Sequence, residues 1–287
     1  MGIQDALIAW YSSNARDLPW RKNRVTAYQI LVSEIMLQQT PAARVAPQWQ
    51  AWIKRWPTAA HLAKASSADV IRQWDRLGYP NRALRLHETA KLITRSHAGR
   101  LPQQYEDLIS LPGIGDYTAN AILAFAFNKR SVVLDTNIRR VIERVWNGNE
   151  RPSNSPSAVE REFAEALVPL DDKQAAAWSI AVMEFGALVC TARNPQCDAC
   201  PIASSCAWRA ADYPASTLVR KSQKFEGTDR QVRGKIMAEL KSATTSKTRD
   251  SLSHVAKDRS QFDRAMLSLI DDGLIEVTAN GRVRLPT

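Results

Sequence analysis

Four cysteines, Cys190, Cys197, Cys200 and Cys206, are the only ones in the chain and fall in one short stretch with the spacing C-x6-C-x2-C-x5-C. Four thiolates in so compact a loop can hold one [4Fe–4S] cluster, which takes that number of protein ligands. A tetrahedral all-cysteine zinc site also uses closely spaced pairs and is the rival. Disulfides are the bland alternative. Against them, no apolar signal segment follows Met1 and Asp5 comes early, as expected of a cytoplasmic protein. Two carboxyl groups also invite chemistry. Glu34 interrupts the largely apolar run Val25–Gln39, with Ile30, Leu31, Ile35 and Leu37 around it. Burial disfavours charge, so a carboxyl there is expected to keep a proton near neutral pH. Asp135 follows Val132-Val133-Leu134 and opens a helix, where a plain N-cap is the ordinary role. Capping keeps a carboxylate ionised, so one protonated and one ionised group could divide acid and charge-stabilising work.

The elements that must hold these groups read as helices. Residues 1–210 show no period-two alternation long enough for a sheet, and 287 residues suggest two or three domains. Ala119, Ile122, Leu123, Ala126 and Phe127 follow helical spacing, as do Ile138, Val141, Ile142 and Val145 after Asp135. Residues 158–189 give two more helices that end at the first cysteine. Between two helices lies Leu111-Pro112-Gly113-Ile114-Gly115. Pro112 stops the first helix, and Gly113 and Gly115 permit positive φ and close backbone approach. Asp116 is expected to cap the next helix, whose N-terminus would face an anion.

Bulk composition points the same way. A net charge of +10 favours a polyanionic partner. A hydrophobic content of 45% supports real cores, and no apolar run reaches membrane-spanning length, so no membrane partner is expected. Most of the nine tryptophans are expected in the core. After Cys206 the character changes. Residues 212–228, with Pro214, Ser216, Lys221, Ser222, Lys224 and Gly227, read as a linker. Beyond it, Arg230–Leu240 and Gln261–Ile270 read as helices, and Leu274–Val277 and Arg282–Leu285 as a hairpin across Ala279-Asn280-Gly281. That order resembles a winged helix; an accessory domain without DNA contact weighs equally.

Several segments in order now carry a specific resemblance. Leu18-Pro19-Trp20-Arg21, the run Ser33-Glu34-Ile35-Met36-Leu37-Gln38-Gln39-Thr40, L-P-G-I-G-D-Y-T-A from Leu111, Val133–Arg140 and Met183–Cys190 with its cysteine spacing are similar to those of the MutY-type adenine glycosylases. These belong to the endonuclease III, or helix-hairpin-helix, superfamily. The resemblance covers roughly residues 7–210. It implies an all-α helix-hairpin-helix glycosylase fold, a six-helix barrel plus an iron–sulfur helical domain, here followed by a small winged-helix-like α+β domain. The expected parts are an N-terminal segment (1–23) packing with the iron–sulfur domain, the barrel (24–134), the iron–sulfur domain (135–211), the linker (212–228) and the winged-helix-like domain (229–287).

The same resemblance implies excision of adenine paired with 8-oxoguanine or guanine in double-stranded DNA, by a nucleoid-associated monomer with a structural [4Fe–4S] cluster. Glu34 would protonate adenine at N7, Asp135 would stabilise the sugar cation, and Asn137 would position water or Asp135. Gln38 would enter the duplex, with Gln39 and Thr40 at the pocket edge. Trp20 and Arg21 would line the adenine pocket, Glu184 would belong to the catalytic network, and Gly113 and Gly115 would meet phosphate. Tyr117 stands where bifunctional relatives carry a Schiff-base lysine, which implies a glycosylase without efficient lyase activity.

Two departures matter. The aromatic pair of many relatives is Tyr79-Pro80 here, where an apolar proline could still wedge between bases. Residues 229–287 are too short and too helical for the usual Nudix-like domain that checks for 8-oxoguanine, which leaves preference for that base open. A thymine-mismatch glycosylase is the second enzymatic reading, and S-E-I-M-L-Q-Q-T counts against it. A non-enzymatic, DNA-binding or redox-sensing regulator is the third, and it would need neither Glu34 nor Asp135.

Overall fold

The computed structural model describes residues 2–217 and 225–287, so Lys221, Ser222 and Lys224 of the expected linker lie outside the described residues. In chain order the helices begin with α1 (Ile3–Asn14), α2 (Ala27–Leu37), α3 (Ala42–Arg55), α4 (Ala59–Ala63) and α5 (Ser67–Trp74). Next come α6 (Asn81–Ser96), α7 (Tyr105–Ile109), α8 (Asp116–Phe127), α9 (Thr136–Val145) and α10 (Ala158–Leu167). The series closes with α11 (Asp172–Leu188), α12 (Ala207–Ala210), α13 (Asp229–Ser242), α14 (Arg249–Ser253) and α15 (Arg259–Asp271). Two short strands follow, β1 (Glu276–Val277) and β2 (Val283–Arg284), paired antiparallel.

Short polar side chains set where many helices start. Thr58, Ser66, Asp135, Ser157, Asp171, Thr228, Thr248 and Asp258 each accept a hydrogen bond from a first-turn N–H. Each such cap contributes about 1 kcal/mol. α8 departs from expectation. Its N-cap is Gly115, with no side-chain cap. Asp116 sits one position further in, and its carboxylate accepts from Tyr105 Oη at 2.9 Å and pairs with Arg161. Two donors outside the helix outcompete its own backbone for that carboxylate.

The chain divides into two compact units. The first comprises Met1–Glu34, Pro102–Ser110 and Ile114–Arg220. Its core joins Leu7 of α1, Ala121 and Ala124 of α8, the stripe Ile138, Val141, Ile142 and Val145 of α9, and Trp178, Val182 and Phe185 of α11. Apolar spacing on α9 and α11 thus determines which faces meet, and Cys190, Cys200 and Cys206 pack against the same core.

The second unit comprises Ile35–Leu101, Leu111–Gly113 and Lys221–Thr287. α6 packs against α4 and α5. Trp52 meets Trp56 and Trp74 edge-on, with ring centroids 4.7 and 5.7 Å apart. A separate core gathers Val232, Ile236, Met237 and Leu240 of α13, Phe262, Met266 and Leu269 of α15, Leu274 and Val283, with Ile71 of α5 completing it. Thr278 N donates to Arg282 O at 2.8 Å, closing the hairpin, and Gly281 takes a positive φ of 72° there. Lys247 bridges to Val283, and the two helices and the hairpin read from the sequence stand together with a further short helix, α14, that the sequence reading did not include. Trp20, Trp49, Trp52, Trp56, Trp74, Trp178 and Trp208 are buried, which makes packing their main work. Among the described residues, no helix is long and apolar enough to cross a membrane.

Candidate active site

Glu34 lies in the last turn of α2 and is 5% exposed, between buried Leu31 and Ile35 on the same helix. Tyr117, in the first turn of α8, donates from Oη to Glu34 Oε2 at 2.9 Å. Burial pushes the Glu34 carboxyl up to about 7. The Tyr117 bond opposes that rise, the Asp135 carboxylate adds to it, and the Arg21 charge works against it. Burial also holds the Tyr117 phenol well above its ordinary value, so it remains a donor.

Asp135 is the N-cap of α9. Its Oδ1 accepts from the backbone N–H groups of Asn137 (2.9 Å) and Ile138 (2.6 Å), and its Oδ2 accepts from Asn137 Nδ2 at 2.8 Å. Burial raises this carboxyl above its ordinary value as well, and the three bonds and the Arg140 charge, which favour the ionised form, offset part of that rise. The capping and charge-stabilising readings of Asp135 therefore use the same geometry.

Arg140 extends the arrangement. Its Nη2 donates to Asn137 Oδ1 at 2.9 Å and to Gly186 O, while Nε donates to Cys190 O at 2.8 Å. Asn137 is thereby fixed from both ends. Gly186 is obligatory, because a Cβ there would come within 2.8 Å of the Asn137 Cβ.

Glu184, on α11, is fully buried and clamped by arginine. Arg16 donates from Nε to Oε1 and from Nη2 to Oε2, both at 2.7 Å, and its backbone N reaches Oε1 at 3.0 Å. Burial alone would raise the Glu184 carboxyl, but the Arg16 bonds and the Arg21 charge hold it below its usual range. Arg21 Nη1 lies 3.0 Å from Glu184 Oε2 without hydrogen-bond alignment. Glu184 thus anchors the guanidinium whose charge acts on Glu34. Trp20, just before Arg21, is buried in the short 3-10 turn Pro19–Arg21.

The other expected contact residues lie on turns. Gln38 is half-buried, and Gln39 is exposed with φ 56°. Thr40 is buried, its hydroxyl 3.2 Å from Leu77 O. Tyr79 is exposed with φ 47°, and Pro80 opens α6. In the hairpin, Gly113 has φ 78°, and a Cβ there would meet the Arg85 side chain at 2.8 Å. Nothing occupies the space a Cβ at Gly115 would take, so a ligand could approach that backbone closely.

The four cysteines are unbridged and line one cavity together with Arg144, Ile202 and Trp208. Among the described residues, no three His, Cys, Asp or Glu side chains converge as a single bound ion requires. Arg144 closes the wall: it stacks 4.4 Å from the Trp208 ring, donates to Glu150 O and Thr191 O, and places Nη1 3.5 Å from Cys190 Sγ.

Sequence reasoning missed Arg16, Arg140 and Arg144. Arginines on an amphipathic helix read by default as its solvent face. The available signal was that Arg140 and Arg144, four apart on α9, directly adjoin the apolar stripe.

Comparison with known proteins agrees with this geometry. Residues 32–169 match the HhH-GPD superfamily of base excision DNA repair proteins, and residues 190–206 match the iron–sulfur binding domain of endonuclease III. An adenine DNA glycosylase of Mycolicibacterium smegmatis is 49% identical over 97% of this chain and 94% of its own length. One of Mycobacterium tuberculosis is 48% identical over 98% and 92%. The human adenine DNA glycosylase is 38% identical over 71% of this chain and 39% of its own. Among solved structures, a thermostable thymine-DNA glycosylase superimposes with a TM-score of 0.66 at 28% identity, covering 72% of this chain and 95% of that one. A trapped endonuclease III–DNA intermediate shares the fold, with a TM-score of 0.62 at 20% identity over 74% and 95%. The chain therefore belongs to the adenine DNA glycosylase family of the HhH-GPD superfamily, with Cys190, Cys197, Cys200 and Cys206 holding a [4Fe–4S] cluster.

Proposed function

We propose that this enzyme hydrolyses the N-glycosidic bond of adenine paired with 8-oxoguanine or guanine in duplex DNA, without efficient strand cleavage. One observation carries the reading: a buried carboxyl raised to about 7 lies within electrostatic reach of a carboxylate that accepts three hydrogen bonds. The adenine must leave the stack to enter such a site. Glu34, raised to about 7 and so still substantially protonated near neutral pH, delivers its proton to the purine and makes it a better leaving group. Cleavage builds positive charge on the sugar, and ionised Asp135 stabilises it electrostatically. Asn137 and Arg140 keep Asp135 oriented, and Tyr117 holds Glu34. Arg21 and Trp20 face the base, Gln38 enters the duplex, and the Gly113–Gly115 turn meets phosphate.

The bound cluster braces the Cys190–Cys206 loop, and hydrolysis requires no redox step. Tyr117 supports the absence of lyase chemistry, because a phenol tied to Glu34 cannot form a Schiff base. The test is a single-turnover assay on duplexes with A opposite 8-oxoguanine, G, C or T, alongside a T·G duplex. Adenine release is expected fastest opposite 8-oxoguanine and G, with intact strands until alkali is added. Release of thymine alone would replace this reading with the thymine one. Strand nicking at the rate of base release would overturn the monofunctional part.

A further inference from the structure

Residues 229–287 have the order of a winged helix, yet their charges do not suit reading DNA with the second helix of the turn. On and around α15, Arg264 pairs with Asp229, Arg259 with Asp250 and Asp263, and Arg249 with Asp263. In the wing, Arg284 pairs with Glu276 and Lys247 with Glu239. The outer face of α15 presents Ser260, Arg264, Leu267 and Asp271. A helix that docks in a groove needs cations left over for phosphate, and this face has spent its own on carboxylates.

A different edge of the same unit is cationic and aromatic. A cleft between α13 and the turn joining α5 to α6 is lined by Arg72, Arg76, Tyr79, Phe225 and Arg230. Tyr79 and Phe225 are 42% and 53% exposed, unusual for large rings in a protein that buries most of its tryptophans. Arg230, in the first turn of α13, is exposed and in no ion pair among the described residues. Its guanidinium carbon lies 4.7 Å from the centroid of the Tyr79 ring and 5.6 Å from that of Phe225.

Below the ring, Arg82 secures the turn. It donates to the carbonyls of Ile35, Met36, Gln38, Leu77 and Gly78 and to Thr40 Oγ1, with its own guanidinium 5.6 Å from the Tyr79 centroid. Tyr79 therefore stands out from a fastened turn, at a φ few tyrosines adopt, with a second cation from α13 on its ring.

We propose that Arg230 is a positioning residue for Tyr79, and that the C-terminal unit contributes to duplex binding through this contact rather than through α15. The ring so held stacks against the bases of a duplex engaged by the enzyme. This rests on the adenine-excision reading for its substrate, but its test avoids that chemistry. Binding is measured to a duplex carrying a stable abasic-site analogue opposite guanine, from which no base can be released.

Arg230→Gln is expected to weaken binding about fivefold, the size of one exposed cation–π contact. The salt dependence should stay unchanged, since no phosphate contact is lost. The effect should vanish in a Tyr79→Leu background. The pair Arg259→Gln and Arg264→Gln on α15 should bind as the wild type does, and thermal midpoints identify any variant that is merely misfolded. Losses that add between Arg230→Gln and Tyr79→Leu, with a shallower salt slope, would make Arg230 an ordinary phosphate contact and overturn the proposal. A larger loss from the α15 pair would overturn it as well. Unchanged binding by Arg230→Gln would overturn it too, whereas the expected binding pattern combined with no adenine release by the wild type would count against the catalytic reading alone.

Discussion

Glu34 and Asp135 are both carboxyl groups withdrawn from water, and burial pushes both upward, yet their surroundings lead to opposite ends. Around Glu34 the walls are apolar, and Tyr117 supplies one hydrogen bond, too little to restore the charge. Around Asp135 a helix start supplies two N–H donors, Asn137 supplies a third, and Arg140 adds a positive charge. The contrast shows that burial alone does not set a protonation state. What decides is how many donors the backbone turns toward the group. A helix interior has none to give, whereas a helix N-terminus has several.

The largest test of this contrast is on catalysis. Glu34→Gln removes the proposed proton donor and is expected to slow single-turnover adenine release by about 10²–10⁴-fold. Asp135→Asn keeps a cap but loses the charge, with an expected loss of about 10²–10³-fold. Both are measured at saturating enzyme, so that weakened DNA binding is not counted as lost chemistry.

Stability should separate the two residues in the other direction. Glu34 rises from an ordinary 4.5 to about 7 on folding, so the folded state holds its proton more tightly than the unfolded chain. Its burial is least costly below pH 4.5, and the folded state loses stability as pH rises from there through 7. Glu34→Gln escapes that penalty and should stabilise the protein by up to about 3 kcal/mol above pH 7, with little effect at pH 4. Asp135→Ala should instead destabilise it by about 1–2 kcal/mol, the value of a lost N-cap. Denaturant titrations at two pH values read both signs. Finer still is Tyr117→Phe. Its hydrogen bond favours the ionised form of Glu34, so removing it should move the alkaline fall of activity to higher pH while changing the rate at pH 7 by less than about tenfold.

Much of this was legible in the chain. The stripe Ile138, Val141, Ile142 and Val145 fixed the buried face of α9, and the Asp135 cap follows from a polar residue just ahead of that stripe. Glu34 among apolar neighbours announced its own burial. What could not be read were pairings across long stretches of sequence. Arg16 meets Glu184, and Arg140 meets Cys190 O, through folding rather than through any local pattern. Asp116 was misread for the same reason, because Arg161, far along the chain, takes the carboxylate a local rule assigns to the cap.

The central claim is a neutral acid beside an ionised partner, and the pH profile of single-turnover adenine release tests it most directly. A bell is expected: the rate falls tenfold per pH unit above about 7 as Glu34 ionises, and falls again in acid as Asp135 gains a proton. In Glu34→Gln the residual rate should lose the alkaline limb. A wild-type rate that climbed steadily from pH 6 to 9 would contradict the account.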